Sequence, residues 1–249
     1  MHQSVFISEV IKYGPNLPDT KIIEIAENMA SYYNLKSQTK IDSVPEIAFE
    51  KDFKNSSINR IIKMSKTEHI DSFFEDGSIQ LGSFKYYQQF DNPEIGDKSE
   101  GSFIIVGCNS KSTTFAVVGG GFNNYLFCTY NGDPDPEIIQ KFGYNDYFEI
   151  INISGFQHAV EQTLKSVFSL GSICQYRQMK VLVGNADENF NLYNLSGGLI
   201  NLVNYSKYFL KISDFHHQQE YRLLWTVPYD LNDKVIIKCP EAIQYCRRK

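Results

Sequence analysis

Apolar residues recur at helical spacing in two runs near the start of the chain, Phe6 to Tyr13 and Asp19 to Tyr33. The second run carries an apolar stripe of Ile22, Ile23, Ile25, Ala26 and Met29. Asp19 or Thr20 is the expected N-cap, because the turn-forming residues Gly14 to Pro18 come directly before it. We therefore predict a helix in each run.

The polar stretch from Lys36 to Ser43 has no apolar period and is typical of a linker. Because helical patterns precede this linker and mixed patterns follow it, we expect two parts. Residues 1–50 are predicted to form a small helical subdomain or lid, and residues 51–249 the main body.

Strand-like runs dominate the main body. The predicted strands are Ile58 to Met64, Ser78 to Tyr86, Phe103 to Cys108, Thr113 to Val118, Tyr125 to Thr129, Tyr147 to Ile153, Met179 to Gly184, Ile200 to Tyr205, Tyr221 to Val227 and Val235 to Cys239. Helices are predicted over Thr67 to Glu75, ended by Asp76 and Gly77, and over Gly155 to Leu170. Gly119 to Gly121 is predicted to be a hairpin turn rather than a ligand loop.

Strands outnumber helices and do not alternate with them, which argues against a doubly wound parallel sheet. We predict an α+β fold with two packed, mainly antiparallel sheets and flanking helices.

Composition and charge narrow the classes of function. The chain has 249 residues and a formal net charge of −5, and lacks the basic stripe of a protein that follows a nucleic-acid backbone. Non-specific nucleic-acid binding is therefore disfavoured. No run approaches the roughly 20 apolar residues that cross a bilayer, and the N-terminus lacks the pattern of a signal peptide. We expect a soluble, cytoplasmic protein without a membrane partner.

Familiar catalytic and metal-binding signatures are missing from the sequence. It contains no GxxxxGK[ST], GxSxG, HExxH or EF-hand pattern. The five cysteines are scattered and form no CxxC pair, so we expect neither a zinc site nor a disulfide framework. His216 and His217 would point to opposite faces of a strand, and we predict no metal site there.

Glu220 and Arg222 lie two residues apart in a predicted strand, so their side chains should share one face. A carboxylate held by a guanidinium can accept hydrogen bonds from a sugar or stabilise a developing cation. A structural ion pair at the rim of a sheet explains the same spacing equally well.

Arg60 interrupts the apolar run from Ile58 to Met64. If it faces a cleft, its guanidinium can bind a pyrophosphate or a carboxylate. Spacing alone favours a position in solvent.

An aromatic pair, Tyr86 and Tyr87, precedes an acidic loop that contains Asp91, Glu94, Asp97 and Glu100. Such a shelf can stack a planar ring while the carboxylates bind ribose hydroxyls. The alternative is a solvated acidic loop at the rim of a site.

Several segments resemble a group of poorly characterised bacterial domains that is related to the ADP-ribosyltransferase fold. They are INRIIKM, DGSIQLGSFKYYQ, YLFCTYN and LVNYSKYFLKISDFHHQQEYRLLW, and the resemblance covers residues 57 to 228. It implies an ADP-ribosyltransferase-like fold whose members split NAD.

The resemblance also implies roles for individual residues. Arg60 would grip the ribose or phosphate of NAD, and Thr129 would line the nicotinamide pocket. Glu220 would stabilise the oxocarbenium-like ribose, and Gln218, two residues earlier, would help to orient a target group. Tyr87 and Arg222 would complete the NAD site.

Three functions remain open at this point. The first is an NAD-consuming ADP-ribosyltransferase or glycohydrolase, such as a bacterial toxin or phage-defence effector, with a macromolecular target or a regulatory protein as partner. The second is a non-catalytic module on the same fold that binds a nucleotide or a protein. The third is a metal-dependent hydrolase that uses the acidic loop.

Overall fold

A computed structural model describes residues 6–53, 58–90, 94, 96–186, 188 and 207–249. The strands in this part of the chain are β1 (Phe6–Tyr13), β2 (Ala48–Phe49), β3 (Ile61–Ser65), β4 (Ser78–Ser83), β5 (Ser102–Cys108), β6 (Thr113–Gly119), β7 (Asn124–Tyr130), β8 (Asp146–Ile150), β9 (Phe168–Ile173), β10 (Gln175–Arg177), β11 (Val181–Asn185), β12 (Leu210–Ile212), β13 (Glu220–Thr226), β14 (Lys234–Lys238) and β15 (Cys246–Arg248). The α-helices are α1 (Asp19–Tyr32), α2 (Thr67–Asp76), α3 (Phe84–Gln88), α4 (Pro136–Lys141) and α5 (Ile153–Leu164). The mixture confirms the predicted α+β class.

The chain forms two compact units, each built from three separate stretches of sequence. Unit 1 takes in residues 1–54, 101–121 and 175–217, and unit 2 takes in residues 55–100, 122–174 and 218–249. Residues 1–50 therefore share a unit with two later stretches, whereas the prediction set them apart as a subdomain.

Unit 1 is built on a five-stranded sheet in the order β1-β6-β5-β11-β2. Side chains alternate between its two faces, as the pleat of a strand requires. One face packs on α1 through Ile22, Ala26 and Met29, and the other buries a second apolar cluster that includes Phe103 and Leu182. β11 runs parallel to β5 and β2, and β10 and β12 form a short parallel pair.

Unit 2 is built on an eight-stranded sheet in which every described pairing is antiparallel. Helices α2 and α5 bury Phe73 and Phe156 against one face, where Trp225 is fully buried. The other face carries a smaller apolar cluster, which includes Ile62 and Tyr130, and several charged side chains.

Two predicted elements are wrong in type or extent, and one predicted helix cap is wrong. Phe6–Tyr13 is a strand rather than a helix, because it pairs along its length with β6. α1 begins after Pro18, with no side-chain cap from Asp19 or Thr20. Residues 168–170 belong to β9 rather than to the helix predicted over Gly155 to Leu170, since α5 ends at Leu164.

Other predictions concern the glycine turn, the histidine pair, one further strand and membrane spans. Gly119 to Gly121 is not a hairpin turn, because β6 and β7 belong to different sheets. His216 and His217 lie in a 3-10 helix rather than in a strand. The strand predicted over Ile200 to Tyr205 lies outside the described residues. No helix in the described ranges has the length and apolar content that a membrane span needs.

Candidate functional site

β7 holds a fork at the centre of the sheet in unit 2. One edge of β7 pairs with β13 from Asn124 to Tyr130. On the other edge, β4 pairs with Tyr125 and Leu126, whereas β3 pairs with Tyr130. Two arms therefore leave this edge, one made of β3, β8 and β15 and the other of β4 and β14. We call the gap between them, beside residues 127–129, the fork.

Lys63 of β3 reaches into the fork. Its Nζ atom donates a hydrogen bond to the carbonyl of Cys128 at 2.9 Å and lies 4.5 Å from the centroid of the Phe127 ring. The ammonium thus caps a backbone carbonyl that faces the gap. Burial lowers the pKa of Lys63, although the charges of Cys128 and Glu220 act in the opposite direction.

A cavity of about 620 Å³ opens at the fork. This volume is in the range that accommodates a small-molecule ligand. The residues that line it are Lys63, Ser65, Lys66, His69, Ile70, Ser72, Phe73, Ser78, Ile79, Gln80, Tyr86, Tyr87, Phe90, Phe127, Tyr144, Phe148 and Ile236. Among these described residues are two lysines and a histidine but no carboxylate, in a chain whose net charge is −5.

Aromatic rings from α3 and the residues after it form one wall of the cavity. Tyr86 packs edge-on against Tyr87 with ring centroids 5.5 Å apart, and against Phe90 at 4.8 Å. Gly82 makes this possible, because a Cβ there would lie 2.6 Å from Tyr86 and 2.8 Å from Tyr87. The predicted tyrosine shelf therefore lines a cavity.

Glu220 and Arg222 share one face of β13, as predicted, and a third residue joins them. Arg222 donates from Nε to Glu220 at 2.7 Å, and from Nη1 and Nη2 to the two carboxylate oxygens of Glu100 at 2.8 and 3.0 Å. All three side chains are buried, with exposed fractions of 1% for Arg222, 6% for Glu220 and 3% for Glu100. We call these residues the buried triad.

Tyr87 connects the buried triad to the cavity. Burial raises its pKa well above the usual value, and a hydrogen bond with Cys128 and the charge of Glu220 add to the effect. Cys128 lies opposite Arg222 in the pairing of β7 with β13, on the face that carries Glu220. Charge on Glu220 therefore acts on two residues that line the cavity, Lys63 and Tyr87.

Arg60 lies apart from the buried triad. Its guanidinium donates to Glu149 at 2.9 Å and to Asp133 at 2.6 Å, and both contacts raise its pKa. Glu220, Tyr130, Ile62 and Glu149 stand in one row across four adjacent strands. With strands about 4.8 Å apart, three steps separate Glu220 from Glu149 by about 14 Å.

Thr129 and Gln218 are not placed as the resemblance implied. Thr129 lies between Cys128 and Tyr130 on β7, so its side chain points to the opposite face from Glu220, and its hydroxyl donates to the Tyr221 carbonyl at 2.6 Å. Gln218 precedes the strand, since Gln219 has a φ of 39° and turns the chain. Its amide donates to the carbonyl of Glu94 at 3.0 Å.

The structure thus brings Glu220, Arg222 and Tyr87 together and leaves Arg60 and Thr129 elsewhere. Lys63 was missed by sequence reasoning, and Glu100 was predicted as part of the acidic loop but not as a partner of Arg222. Lys63 lies in the same apolar run as Arg60, and this second cation was the available signal. The pairing of Glu100 gave no such signal, because it depends on contact with Arg222, which lies 122 residues later.

The acidic loop is only partly a solvated rim. Asp97 is buried and accepts hydrogen bonds from the backbone and the hydroxyl of Ser99. Glu94 lies 3.4 Å from Lys141. Asp91 is outside the described residues.

Comparison with protein-family models, with curated proteins and with solved structures found no match for this chain. The relation to the ADP-ribosyltransferase fold therefore stays a prediction that depends on the sequence motifs.

Proposed function

We propose that unit 2 binds a small anionic ligand with a planar ring, of the nucleotide class, in the cavity at the fork. The observation that carries the proposal is the lining of this cavity, which combines Lys63, Lys66 and His69 with aromatic rings and has no carboxylate among its described residues. NAD is the ligand that the resemblance implies.

Each part of such a ligand has matching chemistry in the cavity. A planar ring can stack on Tyr86 or Phe90, and stacking of a base on an aromatic side chain is worth about 1–3 kcal/mol. A phosphate can bind the amines of Lys63 and Lys66 as point charges. Partial burial of Lys63 strengthens that attraction, because the local dielectric constant is lower than in water.

Titration calorimetry tests binding. NAD, AMP and inorganic phosphate are titrated separately, so that the contributions of ring and phosphate can be told apart. We expect the two nucleotides to bind. Lys63→Met should weaken their binding about tenfold or more, which corresponds to a loss of about 1.4 kcal/mol. Tyr86→Leu should weaken the binding of NAD more than the binding of phosphate.

Lys85→Met is the matched control, since Lys85 lies beside the tyrosine shelf with an exposed side chain and does not line the cavity. Equal affinities for Lys63→Met, Lys85→Met and the unchanged protein would refute this site.

Consumption of NAD is a second candidate function, because the charge of Glu220 acts on Lys63 and Tyr87 in the cavity. In that case Glu220 would stabilise positive charge on the ribose as nicotinamide leaves. The role would be that of an ADP-ribosyltransferase-like toxin or defence effector. The engagement of Glu220 by Arg222 and the positions of Arg60 and Thr129 make ligand binding without turnover the better supported function.

Release of nicotinamide from NAD, followed by chromatography, separates the two functions. Binding without release supports the binding module. Release that is lost in Glu220→Gln, with an unchanged unfolding transition, supports turnover. The glutamine keeps the shape and a hydrogen-bond acceptor for Arg222, and is therefore a cleaner test than alanine.

A further inference from the structure

Lys63 differs from the other lysine of the cavity in its surroundings. Its Nζ atom has one hydrogen bond among the described residues, to the Cys128 carbonyl at 2.9 Å, and takes part in no described ion pair. Lys66, three residues later, is exposed and lines the same cavity. Lys63 is partly buried between the two arms, above the Phe127 ring.

Burial makes the Lys63 ammonium easier to deprotonate than that of an exposed lysine, although the Cys128 carbonyl and the Phe127 ring stabilise the charged form. Desolvation disfavours the ammonium form, and a carbonyl partner stabilises it less than a carboxylate would. The pKa of Lys63 is accordingly lowered, chiefly by burial. Lysines in such apolar sites are the ones that proteins use as nucleophiles toward carbonyl compounds.

We propose that Lys63 is an amine nucleophile that forms an imine with the carbonyl group of an aldehyde or ketone held in this cavity. The ammonium first loses a proton to solvent, and the nitrogen lone pair attacks the carbonyl carbon. The carbonyl oxygen then leaves as water while the C=N bond forms. The step is a condensation, so no oxidant or reductant is required.

The cavity suits a carbonyl compound that also has a ring or an anionic group. Its aromatic wall can hold the ring, and Lys66 and His69, which also line the cavity, can bind the anionic group. The titratable groups that act on Lys63 or line its cavity with it are Cys128, Glu220, Tyr86, Tyr87, Tyr144, Lys66 and His69. The inference shares this cavity with the proposed function but does not require that a nucleotide binds.

Reductive trapping tests the inference on the full chain. The protein is incubated with pyridoxal 5′-phosphate as the probe and with cyanoborohydride, which converts an imine to a stable secondary amine. Peptide mapping by mass spectrometry then gives the rate of modification at each lysine. Near neutral pH we expect Lys63 to be modified several-fold faster than Lys66.

Two matched variants locate the adduct. Lys63→Met should remove the fast phase of labelling, and Lys85→Met, at an exposed lysine outside the cavity, should keep it, with folding of both checked by circular dichroism. Modification of Lys63 no faster than Lys66 in the unchanged protein would overturn the inference, and this readout does not depend on whether a variant folds.

A second labelling experiment uses pyridoxal, which lacks the phosphate. Preferential labelling of Lys63 by both probes supports a reactive amine, whereas labelling by neither overturns it. Nucleotide binding is measured on the same preparation. Labelling of Lys63 without nucleotide binding leaves this inference intact and refutes the proposed function. Nucleotide binding without labelling of Lys63 refutes this inference and leaves the proposed function intact.

Discussion

At the scale of single residues, the buried triad combines two opposing energies. Removing three charged groups from water costs several kcal/mol per ion, and the attraction between them offsets this cost only when the geometry is good. Here Arg222 binds both oxygens of Glu100 and one oxygen of Glu220 at 2.7–3.0 Å. Arg222 is the one cation of the triad, and both carboxylates bind it.

Arg222→Met should therefore destabilise the protein more than Glu220→Gln. The first change leaves two buried carboxylates without their shared cation, and removing one partner of a buried pair typically costs about 3–5 kcal/mol. The second leaves one cation and one carboxylate, and its cost should be about 1–3 kcal/mol. Urea unfolding measures both free energies.

The control for this comparison is Lys85→Met, which breaks an exposed ion pair with Asp233. Exposed pairs contribute little, and a loss below about 1 kcal/mol is expected. A cost for Arg222→Met as small as this would mean that the triad contributes no net stability.

Glu149 gives a pH dependence whose sign can be stated. Burial raises its pKa, but the hydrogen bond from Arg60 and the charge of Lys249 outweigh burial, so the pKa lies below the usual value. A carboxyl whose pKa is lowered by folding stabilises the native state above its unfolded pKa. That stability is lost as the pH falls through the folded pKa.

Arg60→Met should reduce this acid sensitivity. The variant should be less stable at neutral pH, and the difference from the unchanged protein should shrink as the pH falls below about 4.3, the usual value for glutamate. Unfolding free energies measured between neutral pH and pH 3 give the two curves. Parallel curves over that range would show that Arg60 does not set the pKa of Glu149.

At the scale of elements, the helices and strands that were predicted correctly are those whose structure depends on nearby residues in the sequence. α2 follows from its apolar face and from Gly77, whose φ of 76° ends the helix. The hairpin of β5 and β6 and the strands β7 and β13 follow from β-prone runs. β1 was predicted wrongly because its pairing with β6, about 100 residues later, decides its state.

The fork could not be predicted, since it depends on which strands share one edge of β7. Lys63 appears in the sequence only as a second cation in an apolar run. Its role depends on the hydrogen bond that it donates to the carbonyl of Cys128, which lies 65 residues later in the chain. The pairing of Glu220 with Arg222 was predictable because it needs only the period of one strand.

Gly82→Ala tests the tyrosine shelf. The added methyl would lie 2.6 and 2.8 Å from the rings of Tyr86 and Tyr87, so both must move. We expect a loss of about 1–3 kcal/mol in unfolding free energy, as for other overpacked sites, and weaker nucleotide binding.

Gly119→Ala is the matched change in another strand, where a Cβ would meet Ser102 at 3.8 Å, an ordinary contact. The unfolding free energy and the nucleotide affinity of this control should stay near those of the unchanged protein. If Gly82→Ala binds nucleotide with full affinity, the shelf does not form part of the ligand site.

At the scale of the whole molecule, the chain leaves and re-enters each unit several times. β1 forms an edge of the sheet in unit 1, and α1 covers one face of it. Neither element is therefore an appendage of unit 1. The linker predicted over Lys36 to Ser43 is also anchored in unit 1, because Asp214 accepts hydrogen bonds from Ser37 and Thr39.

A fragment of residues 51–249 should fail to fold normally. Without α1 and β1, the apolar cluster around Ile104, Phe115 and Val181 is exposed and the edge of β6 is unpaired. We expect a broad thermal transition or aggregation, measured by circular dichroism against the full chain prepared in the same way. A sharp transition in the fragment would support the lid that the sequence predicted.

Hydrogen exchange should reveal a consequence of the fork that no static contact shows. Among the described strands, only β7 is hydrogen-bonded to both arms, so each arm can open locally with its own free energy. A ligand in the cavity touches β3 and β4 together, and opening either arm would then release it. Nucleotide should therefore slow deuterium uptake in both arms in parallel, including β15, which contributes no described residue to the cavity. Slower uptake in one arm alone would place the ligand outside the fork.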